Sequence, residues 1–375
     1  MGLSFQVDET GDLAALATML DAASALANTG ALLVLTSEAN RYPVDGLVAL
    51  LRRQCLPVAG GVFPALIAGS NKLSTGAIVL ALPKGTDVFV LTGLGKQRDE
   101  LDERIAKLAP SPCMHKTMLV LVDGLSRGTG ALVDALFNHF GLELNFIGGG
   151  AGSSTLQPGP CVLSNEGVLE DAAVLVLSEV VSSIGVAHGL HKVAGPYLVT
   201  ESEPGRVLSL EWRPAFDVYR QALATVGLHP ITADQVAAVS SAYGFGIAKL
   251  DAEVVAREPV AVDEDGALIC VGDVPAGSFV HLLSSEPDRL LEAAGVAARV
   301  AASSYPVPGG QQLGLLIDCV GRSAFLGERF NEELAKLSQG PLPTIGALTV
   351  GEIANRGRDY LEFHNKTTVY GVLGG

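Results

Sequence analysis

Short apolar runs alternate with longer amphipathic stretches along most of the chain, and this alternation is typical of an α/β protein. Apolar runs bounded by glycine or proline predict buried strands, and apolar residues three or four apart predict helices. The predicted strands are 31–36, 76–82, 87–92, 116–122, 172–177, 183–187, 197–200, 279–283 and 313–318. The predicted helices are 12–28, 44–54, 96–108, 129–140, one that starts by residue 215, and 324–337. We therefore expect a mixed α/β fold.

Two further segments are predicted to contain loops. The run 148–152, Gly-Gly-Gly-Ala-Gly, predicts a loop whose backbone N–H groups are available to a ligand or to a close neighbour. Near the end of the chain, apolar runs at 344–352 and 360–373 predict a hairpin joined through residues 355–358.

A repeated motif predicts that the fold arose by internal duplication. Two Asp-x-x-x-Arg segments, Asp123 to Arg127 and Asp318 to Arg322, each follow a predicted strand and precede a helix, 195 residues apart. An Ile-Gly step follows both helices, and a looser third copy begins at Leu35. We expect two related α/β halves built from strand–helix–strand units. A change in composition at 201–214 divides them into predicted domains at 28–213 and 214–370.

Composition and charge exclude several classes of partner. The chain is 48% apolar and 17% charged, and its formal net charge is -15 without a basic stripe. This balance argues against nucleic acid and against acidic membrane surfaces. The uncharged stretches 54–71 and 144–165 are interrupted by glycine and proline, so neither predicts a membrane helix. The first ten residues carry no signal-peptide pattern, which favours a cytoplasmic protein.

The cysteines and histidines show no spacing typical of a metal or haem site. Five cysteines are scattered without a paired motif, which argues against a disulfide scaffold or zinc site and favours a reducing compartment. The seven histidines are dispersed as well. Haem needs a single axial ligand in an apolar pocket, so a haem-binding gas sensor stays open as an alternative. We expect no required metal or cofactor.

One segment fits a serine hydrolase. Ser126 lies in a G-x-S-x-G pattern at 124–128 that follows a predicted strand and opens a helix, as a nucleophile elbow requires. His364 lies late enough in the chain to be the base. However, Gly321 stands in the matching copy where this one has Ser126, and no HGGG segment precedes it. We expect that the protein is not an enzyme, with the hydrolase as the minor alternative.

Three polar residues lie in the strongly apolar segments near the end of the chain: Glu352, His364 and Asn365. In apolar surroundings such groups need partners or carry a function. The structural alternatives are an ion pair of Glu352 with an arginine at 356 or 358, and a single backbone hydrogen bond for His364.

These residues fall in blocks that resemble a known family. Residues 344–353, followed by Phe363-His364-Asn365, resemble the closing signature of FIST domains, a GxxTxGEI block and then an FHN block. Other blocks in the matching order are 122–126, 146–150, 186–189, 195–200, 212–219 and 274–278. The resemblance covers about residues 28 to 370. It departs from the family at 59–64, where the expected cysteine, serine and glutamate are missing.

The resemblance implies an intracellular sensory protein that binds a small metabolite such as an amino acid. Haem has been proposed for some family members, and we expect that this chain does not require it. No output domain is expected within the chain, so a separate signalling protein would receive the signal.

We predict a ligand site next to the C-terminal hairpin. In it Arg322 would hold a carboxylate through its planar guanidinium, and Glu352 would hold an ammonium. In the rival interpretation these two residues are purely structural, paired with one another or with neighbours. The full predicted set is Asp123, Arg127, Gly148, Gly149, Gly150, Asp318, Arg322, Gly346, Thr349, Glu352, His364 and Asn365.

Overall fold

The computed structural model confirms the mixed α/β class. It describes residues 3–110, 114–249, 254–307, 311–338, 340, 342–355 and 359–374. In chain order the strands are β1 (Ser4–Asp8), β2 (Thr29–Ser37), β3 (Val58–Phe63), β4 (Leu66–Ala68), β5 (Asn71–Leu73), β6 (Ala77–Pro83), β7 (Asp87–Thr92), β8 (Thr117–Asp123), β9 (Asn145–Ala151), β10 (Val162–Ser164), β11 (Gly167–Leu169), β12 (Ala172–Ser178), β13 (Val181–Ala187), β14 (His191–Glu203), β15 (Arg206–Leu210), β16 (Arg213–Pro214), β17 (Phe245–Ile247), β18 (Val255–Arg257), β19 (Pro259–Val262), β20 (Leu268–Cys270), β21 (Phe279–Ser284), β22 (Gln312–Cys319), β23 (Thr344–Thr349), β24 (Glu352–Ala354), β25 (Glu362–His364) and β26 (Thr368–Gly374).

Each of the six predicted helical segments contains a helix, with 324–337 divided between two, and two more helices were not predicted. They are α1 (Leu13–Ser24), α2 (Val44–Arg52), α3 (Leu101–Ala106), α4 (Thr129–Phe140), α5 (Ala215–Thr225), α6 (Val236–Ser240), α7 (Pro287–Ser304), α8 (Val320–Leu326) and α9 (Phe330–Leu337). The helices that were not predicted are the short α6 and the 18-residue α7. Among the residues that the structure describes, no helix is both long enough and apolar enough to cross a membrane.

Three six-stranded sheets share one topology. Sheet 1 has the order β1-β6-β2-β3-β10-β11, sheet 2 the order β7-β12-β8-β9-β24-β25, and sheet 3 the order β13-β26-β22-β23-β4-β5. In each sheet the two middle strands are parallel, and every other neighbouring pair is antiparallel. The parallel pair belongs to a strand–helix–strand unit, as the predicted duplication requires. The structure therefore contains three related units, including the looser third copy.

The outer hairpins of the three sheets are exchanged in a cycle. The hairpin β4–β5 follows β3 in the chain but pairs with β23 in sheet 3. The hairpin β10–β11 follows β9 but pairs with β3 in sheet 1. The hairpin β24–β25 follows β23 but pairs with β9 in sheet 2. The predicted boundary near residue 214 thus separates two stretches of sequence that share sheets 2 and 3 and a fourth sheet, in which β14 pairs with β21 and β15 with β20.

A glycine at one register position repeats in all three units. Gly60, Gly148 and Gly346 lie opposite Val34, Val120 and Leu316 in the parallel pairs. A Cβ atom on any of the three glycines would lie within 2.1 Å of the carbonyl oxygen of the opposite residue. Because real side chains do not tolerate this distance, each unit requires glycine at this position.

The three sheets enclose a common apolar core, and helices cover their outer faces. Leu33 of sheet 1, Leu121 of sheet 2 and Ile317 of sheet 3 belong to one buried cluster. Helices α1 and α2 pack on sheet 1, α3 and α4 on sheet 2, and α7 to α9 on sheet 3. The alternation of the strands explains this arrangement, since successive side chains face the core and the helices in turn.

A fourth sheet has the order β18-β17-β21-β14-β15-β20-β19, with β16 beside β15. Helices α5 and α6 pack against it and form a separate apolar cluster around Tyr219 and Phe245. The ring of Tyr219 meets that of Phe245 edge-on, with centroids 5.3 Å apart.

Two predictions about loops were wrong. Residues 148–150 are part of strand β9 and not of a loop, because all three glycines are needed for close packing inside the sheet. The last two long apolar segments do not form one hairpin. Strands β23 and β26 flank β22 on opposite sides, and only the short strands β24 and β25 pair with each other. Residues 356–358, which the sequence analysis placed in the connecting turn, lie outside the described residues.

The two Asp-x-x-x-Arg motifs lie on equivalent strands but differ by one residue in register. Val120 of β8 and Leu316 of β22 are equivalent, because each lies opposite the glycine that repeats in all three units. Asp123 follows Val120 by three residues, so it corresponds to Cys319 and not to Asp318. The prediction that the aspartates are equivalent is therefore wrong. A shift of one residue turns a side chain to the other face of a strand, and the Asp-to-Arg spacing alone carries no information on strand pairing.

Candidate ligand-binding site

Arg322 is fully buried, and protein groups accept from all of its nitrogens. Its Nε donates to Glu333 Oε1 at 2.9 Å, Nη1 donates to the carbonyl of His188 at 2.8 Å, and Nη2 donates to Glu333 Oε2 at 3.0 Å. Further bonds run to the carbonyls of Leu290 and Lys366. Five N–H groups on this side chain thus have acceptors within the protein. This geometry favours the structural interpretation of Arg322, paired with neighbours.

Asp318 belongs to the same buried network. Its Oδ1 accepts from the backbone N of Cys319 at 2.8 Å and lies 3.8 Å from Arg322 Nε. Burial, together with the nearby Glu333 carboxylate, raises the pKa of Asp318 well above its ordinary value. Two carboxylates therefore share one guanidinium, and both burial and the neighbouring carboxylate disfavour the charged form of Asp318.

Glu352 is also fully buried and lies in the predicted hairpin. Its Oε1 accepts from Thr349 Oγ1 at 3.1 Å, and its Oε2 accepts from the backbone N of Thr367 at 3.3 Å. Burial raises the pKa of Glu352 well above the ordinary value. In the β24–β25 ladder Glu352 lies directly opposite His364, so both side chains are on one face of sheet 2. This pairing agrees with the expected closeness of Glu352 and His364.

Asn365 and the predicted glycines have structural surroundings. Asn365 Oδ1 accepts from the backbone N of Glu258 at 3.1 Å, which ties the end of β25 to β18–β19. Gly149 and Gly150 lie against the carbonyls of Gly351 and Val350. Along with Gly148 and Gly346, they lie inside the sheets and allow the backbones to approach one another.

The turn after β8 holds the remaining predicted residues. Asp123 accepts from the backbone N of Leu125 and of Asp171, and burial raises its pKa. Ser126 Oγ donates to Asp171 Oδ1 at 2.6 Å. Ser126 and the exposed Arg127 line a cleft of about 260 Å³. Among the described residues that line this cleft there is no histidine, so the hydroxyl faces a carboxylate and not an imidazole base.

The described residues also enclose a larger cavity of about 560 Å³ beside the β24–β25 hairpin. The predicted site residue His364 contributes to the wall of this cavity. Its inner wall is mostly buried and its rim is mostly polar. The inner residues are Val186, His188, Val254, Val255, Ala354, Leu361, His364 and Thr367, and the rim residues are Asp134, Phe137, Asn138, Lys249, Asp359, Tyr360 and Glu362.

The rim of the cavity carries more negative than positive charge. Of its three carboxylates, Glu362 forms an ion pair with Lys249 at 2.5 Å. Burial, and after it the charge of Glu362, raises the pKa of Asp134. Burial and the charge of Glu362 thus both disfavour the ionised form of Asp134 when no cation lies beside it. A cationic group on a ligand would relieve the repulsion between Asp134 and Glu362.

The cavity also has an aromatic side. The rings of Phe137 and Tyr360 lie 4.8 Å apart at a tilt of 45°, and Tyr360 is largely exposed. Deeper in the wall, His188 Nδ1 accepts from the backbone N of Leu190 at 2.8 Å. In the neutral ring this bond places the proton on Nε2. The cavity thus combines apolar, aromatic and acidic groups with two imidazoles.

Sequence comparison identifies the chain. The FIST N domain model matches residues 30–213, and the FIST C domain model matches residues 215–355. Together they cover most of the 375 residues. The chain belongs to the FIST family. FIST domains are associated with ligand binding in sensory and signal transduction proteins. The search of curated proteins gave no match to the chain.

Both FIST segments contribute to the 560 Å³ cavity. Asp134, Phe137 and His188 come from the FIST N segment, and Lys249 and Ala354 come from the FIST C segment. The hairpin residues 362–367 lie beyond the FIST C match, which ends at residue 355. No cluster of three or more His, Cys, Asp or Glu side chains with metal-binding geometry occurs among the described residues.

Most of the residues that line this cavity were not predicted from the sequence. His188 lies in one of the blocks that resemble FIST domains, but it was not proposed as a site residue because its neighbours in space could not be inferred. Asp134 lies on the exposed side of a predicted helix, where a carboxylate normally indicates only solubility. Long-range pairing of β24 with β9 brings the hairpin to α4, and no local sequence signal reports that pairing.

Proposed function

We propose that this FIST protein is a cytoplasmic sensor that binds a small metabolite in the cavity lined by His188 and His364. The observation that carries the proposal is the joint construction of this cavity from the FIST N segment, the FIST C segment and the β24–β25 hairpin. A ligand held by all three parts has different contacts in each arrangement of them. Such differential contact is what a sensory domain needs to convert binding into a change of state.

The ligand class that fits best is an amino acid or a similar amine-bearing metabolite. Asp134 and Glu362 suit an ammonium group, and Phe137 with Tyr360 suits an apolar or aromatic side chain. Lys249 is the cation on the rim of the cavity. It would bind a ligand carboxylate in place of the Glu362 carboxylate, with which it now forms an ion pair. We assign this role to Lys249 because Arg322 is occupied by protein acceptors.

The experiment is a thermal-shift screen of amino acids and amines, followed by calorimetry on each hit. A ligand at 100 times its Kd stabilises the native state by about 2.7 kcal/mol. We expect Asp134→Asn and Lys249→Met to weaken binding of such a ligand at least about tenfold, because each removes one charge-assisted contact. Glu328→Gln is the matched control, since Glu328 is an exposed carboxylate away from the cavity.

A hit whose affinity is the same in wild type, Asp134→Asn and Lys249→Met would place the ligand elsewhere. A screen in which only anions without an amine stabilise the protein would reject the amine class. The output partner is proposed to be a separate signalling protein. Its recruitment should then depend on the same ligand and be lost in Asp134→Asn.

A further inference from the structure

A strained turn in sheet 4 exposes a tryptophan. Strands β15 and β16 are joined by the two residues Glu211 and Trp212, with Leu210 paired to Arg213. Both turn residues have left-handed backbones, with φ of 51° and 57°. Two-residue hairpin turns of this kind favour Asn-Gly, because side chains other than glycine, asparagine and aspartate strain a left-handed backbone. The turn conformation therefore does not account for a tryptophan at this position.

Trp212 is the single tryptophan of the chain, and it is 77% exposed. Its neighbour Glu211 is hydrogen-bonded in both directions to Leu198 of β14. Leu198 in turn is paired with Phe279 of β21, which is 50% exposed. We call Trp212, Leu198 and Phe279 the aromatic surface. It joins a projecting ring to a flatter apolar area on adjacent strands.

Charges of both signs surround the aromatic surface. Arg213 follows Trp212, and Lys192 is close enough to lower the pKa of His281, two residues from Phe279, in addition to the effect of burial. Glu211 and Glu201 are exposed acids in the same part of the sheet. The whole chain has a formal charge of -15, so two copies of it repel each other overall. The mixed charges around the aromatic surface reduce this repulsion there.

We propose that the aromatic surface binds a second copy of this chain about a two-fold axis. In such an interface the same patch of each copy contacts the other copy, so a projecting side chain and the apolar area that receives it must lie on one surface. Trp212 supplies the projecting ring, and Leu198 with Phe279 supplies the seat. The mixed rim allows Lys192 and Arg213 of one copy to face acids of the other. Buried tryptophans are frequent at the energetic centre of interfaces.

The test uses the tryptophan as its own reporter, because no other tryptophan contributes to the emission. We expect sedimentation of the full chain to show twice the 38.7 kDa mass of one chain at high micromolar concentration. The emission maximum should move to shorter wavelength over the same concentration range, as the ring leaves water. Trp212→Gly should weaken the dimer about tenfold or more and should fold well, since glycine suits the turn.

Phe279→Ser provides a second variant that keeps the fluorophore. It should weaken the dimer and leave the emission of Trp212 at the long-wavelength position at all concentrations. Met114→Ser removes another largely exposed apolar side chain and should change neither property. A wild-type protein that stays monomeric at high concentration would overturn the proposal, as would a dimer with equal affinity in Trp212→Gly.

Discussion

Replacement of Arg322 by alanine tests whether this residue stabilises the fold or binds a ligand. The change removes a fully buried guanidinium and leaves the Glu333 carboxylate without its cation, together with carbonyls of His188 and Leu290. Loss of one partner from a buried ion pair costs about 3–5 kcal/mol. At about 2.1 cal/mol/K per residue, the unfolding entropy of a 375-residue chain is about 0.8 kcal/mol/K. The melting temperature should therefore fall by about 4–6 °C.

The matched control is Arg329→Ala. Arg329 also pairs with two carboxylates, Glu332 and Asp288, but its side chain is 41% exposed. Exposed pairs contribute about 0–1 kcal/mol, so this variant should lose about 1 °C or less. A third variant, Arg322→Met with Glu333→Met, should recover part of the stability lost in Arg322→Ala because it removes both charges.

The assay is differential scanning calorimetry with and without a hit from the ligand screen. We expect the ligand to raise the melting temperature of Arg322→Ala as much as that of wild type, since Arg322 has no donor left for it. The structural interpretation would be refuted if Arg322→Ala melted at the temperature of Arg329→Ala and lost the response to ligand. Those two results together would show that Arg322 binds the ligand, as first predicted.

Three further predictions concern protonation, catalysis and cofactors. Because the pKa of Asp318 is raised in the folded state, the native protein holds a proton that the unfolded chain loses above a pH of about 4. The stability that this proton contributes is present at low pH and is lost as pH rises through the raised pKa. The free energy of unfolding, measured with urea, should therefore fall with pH more steeply in wild type than in Asp318→Asn, by up to about 1.4 kcal/mol per pH unit. Equal slopes in the two proteins would contradict this prediction. A fluorophosphonate probe should not label Ser126, whose hydroxyl donates to Asp171, and labelling that disappears in Ser126→Ala would establish the hydrolase. Protein expressed with sufficient haem should show no Soret band, and an intense band would show that a haem is bound.

Local features of the fold were predictable from the sequence, and long-range pairing was not. The helix at 129–140 was predicted with its observed bounds, since its apolar residues repeat with helical spacing and Gly141 ends it. Helix α7 was missed although Pro287 marks its first turn, because much of its buried face is alanine and contrasts little with the exposed face. The exchanged hairpins could not be predicted, since β4–β5 and β24–β25 pair with strands that are hundreds of residues away.

The candidate site divides in the same way. Polar residues in apolar segments pointed to Glu352 and His364, and the ladder does place them side by side. The structural role of Arg322 was the rival interpretation, but its partner Glu333 was not predictable, because Glu333 lies on a following helix and looked like a surface residue. The cavity wall draws on α4, β13 and the hairpin, and only the folded chain brings these together.

The cyclic exchange of hairpins limits how this architecture can change in evolution. In an open array such as a solenoid, a repeat can be added or deleted, because each repeat contacts only its neighbours in sequence. Here each unit donates two strands to the sheet of another, and the last donation closes the circle. Removing one unit would leave one sheet without its outer strands and one hairpin without a sheet. The number of repeats is therefore locked at three, and added sequence is accommodated between strands, as for sheet 4, whose strands lie between β13 and β22 in the chain.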